Sequence, residues 1–276
     1  MTVRAAFGDG WTALRNNPVL LAAGFALALV GQLSTIGELS DSVAVDTLAS
    51  VGFFLAFPFV MGGFLGIALE AVRESDPSFG TFLRAGRTYY VRMLLATILF
   101  GLIAIAVMFG TFPLAIVGGG AWVFGIDALG ESAALALAIL FVGSYLLVLL
   151  VVLMFVQFYD TAIVVEDNGA TSSLSRSIRV VRSNLRSVLA FSFLWLVLLN
   201  TVLMPEVLFG SVRSDAVIAQ LLPVDIGFDP LFVVPISVAV TTVVGAYLYT
   251  VYTAFYVRIA ADTDDSSDEP EPTPAG

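Results

Sequence analysis

Residues 146–156 read LLVLLVVLMFV, an unbroken apolar run. The run does not alternate between apolar and polar side chains, as the strands of a membrane barrel do. In lipid, where no water satisfies backbone polar groups, a helix closes its own hydrogen bonds. The stretch therefore predicts a transmembrane helix and an all-α chain.

Working outward, apolar runs of similar length recur along the chain and give six candidate spans: 18–36, 47–70, 93–117, 133–158, 187–209 and 232–258. About 20 apolar residues cross a hydrocarbon core of about 30 Å. The composition, 59% hydrophobic and 12% charged, is unlike that of a soluble domain. We expect an all-α polytopic membrane helical bundle with six transmembrane helices in a domain over 1–260. A cleaved signal peptide is the alternative for the first span.

The arginines indicate the orientation of these spans. Eleven of the 12 basic residues precede span one, separate spans two and three or four and five, or end span six: Arg4, Arg15, Arg73, Arg84, Arg87, Arg92, Arg176, Arg179, Arg182, Arg186 and Arg258. The other connections, 37–46, 118–132 and 210–231, hold only Arg213. Because positive charge concentrates in cytoplasmic loops, we expect a multi-pass protein of the cell membrane with both termini in the cytoplasm.

The residue types that are missing limit the chemistry. The chain has no Cys and no His, which removes thiolate nucleophiles, the usual general base and the commonest metal ligand. We therefore expect no enzymatic activity, no catalytic residue, no metal site and no cofactor, and also no nucleic-acid partner. All 12 basic residues are Arg and the net charge is −10, a halophile-like acidic composition that fits a salty cytoplasm.

Residues 163–186, IVVEDNGATSSLSRSIRVVRSNLR, separate spans four and five. On a helix, one face carries Arg176, Arg179, Arg182 and Arg186. The adjoining face carries Leu174, Ile178, Val181 and Leu185. A helix over about 171–186, with Thr171 or Ser172 as N-cap, fits the headgroup layer with its guanidinium groups on lipid phosphates. The alternative is that these arginines only set the topology, and the two interpretations are compatible.

A weak internal repeat extends this prediction. The sequences WTALRNNPVLLA, RAGRTYYVRMLLA and RVVRSNLRSVLA each place an arginine shortly before an apolar span, at Arg15, Arg87 and Arg182. The repeat indicates three pseudo-repeated hairpins, each preceded by an amphipathic cytoplasmic helix; chance similarity in a biased composition is the alternative. Arg84, Arg87 and Arg92 thereby join the four arginines above as candidate contacts for membrane lipids with anionic headgroups.

Small and polar side chains within the spans predict how the helices pack. Pro58, Gly62 and Gly66 lie late in span two, where small residues let another helix approach closely. Polar side chains inside the spans are expected to link helices: Gln32, Thr97, Ser144, Ser192, Asn200, Ser237, Thr241 and Thr242. A line of tyrosines in span six fits an interfacial belt: Tyr247, Tyr249, Tyr252 and Tyr256.

Acidic residues gather beside the arginines at the cytoplasmic edge: Glu70, Glu74, Asp76, Asp160, Glu166 and Asp167. Their oxygens suit a hard cation, but we expect them to balance the neighbouring arginines. The last segment, 261–276, holds six acids and three prolines and predicts a disordered acidic cytoplasmic tail.

Two stretches carry a resemblance to a known membrane domain. FPFVMGGFLGIALEAVRESDPSFGTFLRAGRTYY at 57–90 and FYDTAIVVEDNGATSSLSRSIRVVRSN at 158–184 resemble the six-helix membrane domain of some glycerophosphodiester phosphodiesterases and related uncharacterised prokaryotic polytopic families. The resemblance covers about 10–260 and implies a fold. It does not imply hydrolysis, because the chemistry of those proteins resides in a separate barrel with a catalytic His.

The function that these patterns favour is a structural or accessory one. Ion-coupled carriers usually place ionisable side chains near the bilayer midplane, and the predicted spans have none there. We expect a non-enzymatic membrane component that contacts lipid or a protein partner. The alternative is a transporter or permease-like protein for a small or lipidic solute, which a polar cavity reaching the midplane would favour.

Overall fold

The computed structural model describes residues 2–39, 42–210 and 230–267, and within these ranges every regular element is helical. The elements are α1 (Thr2–Asn16), α2 (Val19–Leu39), α3 (Val43–Val72), α4 (Phe79–Leu129), α5 (Glu131–Val156), α6 (Tyr159–Val165), α7 (Ala170–Ser183), α8 (Leu185–Gly210), α9 (Pro230–Val240), a π-helical turn (Thr241–Gly245) and α10 (Ala246–Ser267). The predicted all-α class is confirmed for this part of the chain.

Four helical segments are long and apolar enough to cross a membrane: Val43–Val72, Phe79–Gly125, Glu131–Val165 and Pro235–Asp264. Two bent helix pairs raise the number to six if each pair counts as one span. These pairs are α1 with α2, bent by 100°, and α7 with α8, bent by 105°. Each of the six predicted apolar runs overlaps one of these segments or pairs.

Each bend has a local cause. After α1, the Asn17 side chain donates to the Ala13 carbonyl at 2.8 Å, and Pro18 cannot continue the helical hydrogen bonding because it has no N–H. Between α7 and α8, the Asn184 side-chain amide donates to the Val180 carbonyl of α7 at 3.2 Å. It also donates to the Ile259 carbonyl at 3.1 Å and to the Thr263 hydroxyl at 2.9 Å on α10, which ties the end of α7 to that helix. Both bends therefore set a short amphipathic helix roughly perpendicular to a long apolar one.

The middle unit of the proposed repeat differs from the other two. Arg87 lies inside α4, which runs unbroken for 51 residues and, at about 1.5 Å per residue, is about 76 Å long. The expected separate amphipathic helix before span three is therefore wrong, because no proline or asparagine follows Arg87 before Pro113, which lies farther along inside α4. Within the predicted connection 118–132, α4 continues to Leu129, and Gly130, with φ 81°, makes the turn into α5.

The well-packed core lies at the end of the helices that carries Arg84, Arg92, Arg176 and Arg258, which we call the arginine-bearing end. Its largest fully buried side chains include Phe64, Phe158, Phe191, Phe255 and Tyr256. The distant parts of α4 and α5 expose large apolar side chains to 62–78%: Phe109, Phe124, Ile139 and Leu147. Apolar surface on this scale is costly in water and expected where lipid is the solvent.

The packing of α3 against α4 depends on glycines, which have no side chain. The predicted packing residues Pro58, Gly62 and Gly66 all lie in the buried half of α3. A Cβ on Gly66 would lie 2.4 Å from the Ala85 Cβ, whereas a Cβ on Gly62 would lie 3.5 Å from the nearest atom of Tyr89. Gly66 therefore sets how closely the two backbones approach, and Gly62 makes an ordinary contact.

Several polar side chains link helices as predicted. The Gln32 amide donates to the Ser237 hydroxyl at 3.3 Å and joins α2 to α9. The Gln157 amide donates to the Ser192 hydroxyl at 2.9 Å and joins the end of α5 to α8. Three other members of the predicted set instead donate to the carbonyl four residues earlier in the chain: Ser144, Asn200 and Thr242.

Candidate lipid-headgroup site

The structure divides the arginines into two classes. Four form ion pairs: Arg84 with Glu70, Arg92 with Asp167, Arg176 with Glu166 and Asp264, and Arg258 with Asp9. Seven others are exposed and form no ion pair within the described ranges: Arg4, Arg15, Arg73, Arg87, Arg179, Arg182 and Arg186. The predicted pairing of acids with arginines is confirmed for Glu70, Glu166 and Asp167.

Arg176 is the most enclosed of the paired arginines, with a side chain only 12% exposed. Its Nε donates to Glu166 Oε2 at 2.8 Å, and its Nη2 donates to Asp264 Oδ1 at 2.7 Å. Burial alone lowers the pKa of Arg176, but the hydrogen bonds to Asp264 and Glu166 outweigh it and raise the pKa above its ordinary value. The guanidinium is therefore a fixed charge held by protein.

The Glu166 carboxylate accepts hydrogen bonds from three side chains, of which Arg176 is one. The Tyr256 hydroxyl donates to Glu166 Oε1 at 2.8 Å, and the Asn168 amide donates to Oε2 at 3.1 Å. Together with Arg176, these bonds join α10, α7 and the turn that follows α6. A carboxylate that accepts several hydrogen bonds tolerates burial better than a bare one.

Two of the four tyrosines of α10 lie in the core rather than in an interfacial belt. Tyr252 is 6% exposed and Tyr256 is fully buried, so the belt prediction is wrong for these two. The Tyr252 hydroxyl donates to the Gln157 carbonyl and lies 3.2 Å from Asp160 Oδ1. The break between α5 and α6 leaves backbone groups without helical partners, and this tyrosine satisfies one of them.

The buried face of α7 matches the predicted apolar face only in part: Leu174 and Val181 are buried, but Ile178 is not. The helix begins after Gly169, which replaces Thr171 and Ser172 as N-cap, and Ile178 on the expected apolar face is 43% exposed. Ser177 is buried instead, because its hydroxyl donates to the Phe155 carbonyl at 2.9 Å and accepts from the Phe158 N–H at 3.1 Å. Ser177 thus gives hydrogen-bond partners to two backbone groups at the break after α5. Because α7 is rotated to bring Ser177 to that break, Arg176 also faces the protein.

Arg92 joins α4 to the turn between α6 and α7. Its Nη1 donates to the Asp167 carbonyl at 3.1 Å and to the carboxylate of the same residue. Asp167 has φ 55°, a left-handed conformation that Asp adopts more readily than most residues. Among the predicted headgroup contacts, Arg84, Arg92 and Arg176 therefore have protein partners, while Arg87, Arg179, Arg182 and Arg186 present their side chains to the surroundings.

Part of the predicted tail is structured. Helix α10 continues to Ser267, so the predicted disorder is wrong for 261–267; the rest of that prediction, 268–276, lies outside the described residues. Thr263 is 5% exposed and Asp264 pairs with Arg176. Neither contact was predicted from the sequence, although Tyr252, Tyr256 and Thr263 share the helical spacing of one face.

Within the described ranges, no group of three or more acids is placed to hold a metal ion.

Comparison with known proteins identifies the family but no characterised relative. No curated protein and no solved structure matches the chain significantly. A family model described as a domain of unknown function, DUF7847, matches residues 1–259. That match covers nearly all of the 276 residues, including all the arginines described above. The chain therefore belongs to the DUF7847 family.

Proposed function

We propose that this protein crosses the cell membrane six times, with both termini in the cytoplasm, and acts as a non-enzymatic accessory component that binds anionic lipid headgroups. The six-span count treats each bent helix pair as one span. The resemblance to the six-helix domain of glycerophosphodiester phosphodiesterases is part of the proposal, as a likeness of fold only. A protein partner is compatible with this role.

The observation that carries the proposal is that Arg179 and Arg182 on α7 have exposed, unpaired guanidinium groups within the described ranges. Both are exposed and form no ion pair within the described ranges, although Asp and Glu outnumber Arg by 22 to 12 in the chain. The Arg176 network and the Ser177 hydrogen bonds hold α7 at 105° to α8. If α8 crosses the membrane, α7 lies along its surface with these two guanidinium groups at the level of the phosphates.

Replacement of both residues tests the proposal. The Arg179→Gln/Arg182→Gln variant should retain fewer anionic lipids per molecule, as counted by native mass spectrometry, because guanidinium groups bind phosphate bidentately. Lysines at both positions should restore the count only in part. In molar salt, where the Debye length is about 3 Å, lipid retained by direct contact should persist.

Two results would contradict the proposal. Equal lipid counts in the wild type and the double Gln variant would leave topology as the only role of these arginines. Saturable solute uptake by proteoliposomes of the pure protein would favour the transporter alternative.

A further inference from the structure

An open groove of about 660 Å³ lies between α1 and α8. Helix α1 contributes Val3, Arg4 and Phe7, and helix α8 contributes Arg186, Ser187, Ala190 and Leu194. The volume falls within the range of about 300–1,000 Å³ that is usual for small-molecule sites. Its walls are mainly apolar, and its polar side chains are two guanidinium groups and a hydroxyl.

The walls of this groove are held by the core. The Phe7 ring lies 6.4 Å from the Phe191 ring and 6.3 Å from the Tyr247 ring, measured between centroids. The Tyr247 hydroxyl donates to the Phe7 carbonyl at 3.3 Å. On the α8 side, Val188 and Phe191 are fully buried, which directs the face between them toward the core and the groove residues away from it.

The charges in the groove are positive and uncompensated. Arg4 and Arg186 are exposed and form no ion pair within the described ranges, and no acidic residue lines the groove. Guanidinium groups present several N–H donors and no acceptor, which suits the oxygens of a phosphate. The groove therefore complements an anionic, oxygen-rich group.

An apolar stripe continues from the groove along α8. The stripe begins beside Arg186 and consists of Ala190, Leu194 and Val197. The spacings from Arg186 onward are four, four and three positions, which is the spacing of one helix face. Leu194 and Val197 are 41% and 52% exposed. An acyl chain laid on this stripe would cover it, whereas a free phosphate ion would leave it uncovered.

We propose that the groove binds one anionic phospholipid, with its phosphodiester between Arg4 and Arg186 and an acyl chain along Ala190, Leu194 and Val197. This inference deepens the proposed function and depends on it for the position of α8 across the membrane. It adds a single saturable site on α1 and α8, distinct from the surface of α7.

The test is titration of delipidated full-length protein with phosphatidylglycerol, followed by native mass spectrometry. The wild type should bind one lipid more tightly than all later ones, and phosphatidylcholine with the same chains should bind more weakly because its choline cation faces two guanidinium groups. Arg4→Gln/Arg186→Gln should weaken this first event at least about tenfold, as expected for lost hydrogen bonds to a charged group. Millimolar inorganic phosphate should not displace the lipid.

Two further variants separate the groove from diffuse charge and from misfolding. Ala190→Trp fills the groove while it keeps both arginines. It should also lower the affinity for the first lipid at least about tenfold. Arg179→Gln/Arg182→Gln removes the same charge from α7; it should lower the total lipid count but leave the first event within about twofold.

Three results would overturn the inference. Equal weakening by the two double variants would show that only net charge matters. An unchanged first event in Ala190→Trp would show that no chain lies in the groove. Displacement by inorganic phosphate would make the site one for a free anion. None of these results depends on the α7 lipid count, so failure of this site and failure of the proposed function are distinguishable.

Discussion

At the scale of single residues, Glu166 is the group on which the arginine-bearing end depends most. It accepts from Tyr256, Asn168 and Arg176, and its side chain is 23% exposed. We expect Glu166→Gln to lower the free energy of unfolding by about 1–3 kcal/mol, less than the loss of a partner in a fully buried pair, because Arg176 keeps its bonds to Asp264. Thermal unfolding in detergent measures this change.

Asp167→Asn is the matched control for that variant. It removes the same charge one position later, but the side chain of Asp167 is 70% exposed and that of its partner Arg92 is 40% exposed. Exposed pairs contribute about 0–1 kcal/mol, so this variant should unfold close to the wild type. Equal effects of the two substitutions would show that the Glu166 network does not stabilise the fold beyond its surface charge.

At the scale of elements, the α3–α4 contact distinguishes two glycines that look alike in sequence. Gly66→Ala would bring a methyl group to 2.4 Å from the Ala85 Cβ, and we expect a loss of about 1–3 kcal/mol from overpacking. Gly62→Ala finds its nearest neighbour at 3.5 Å. It should be neutral or stabilising by up to about 1 kcal/mol, because Ala favours the helix.

Apparent melting temperature in detergent measures both glycine variants. A larger loss in Gly62→Ala than in Gly66→Ala would contradict the described packing of α3 on α4. Gly101 on α4 gives a reference for helix propensity alone, since an added Cβ there meets nothing within 4 Å. Gly101→Ala should therefore behave like Gly62→Ala.

At the scale of the whole molecule, the arginine distribution predicts the topology. A reporter fused after Gly276 should be active in its cytoplasmic form, because eleven of 12 basic residues share that side. A reporter inserted at Gly130, the turn between α4 and α5, should be active in its external form. Cleavage of the C-terminal end by protease added outside intact cells would contradict the predicted orientation.

The sequence by itself determined the helical class, the six apolar runs and the arginine asymmetry. These are properties of consecutive residues: a run such as 146–156 is long and apolar whatever it packs against, and a helix is how such a run satisfies its backbone in lipid. Nothing distant along the chain enters these predictions.

Only the tertiary structure decided which side chains face protein and which face the surroundings. Arg176 and Arg179 are three positions apart on α7, yet one pairs with Asp264, 88 residues away, and the other has no ion-pair partner in the described ranges. Ser177 is buried and Ile178 is exposed because the break after α5 supplies backbone partners for a hydroxyl. The physical reason is that a buried polar group needs a specific partner at hydrogen-bond distance, and helices far apart in sequence supply it.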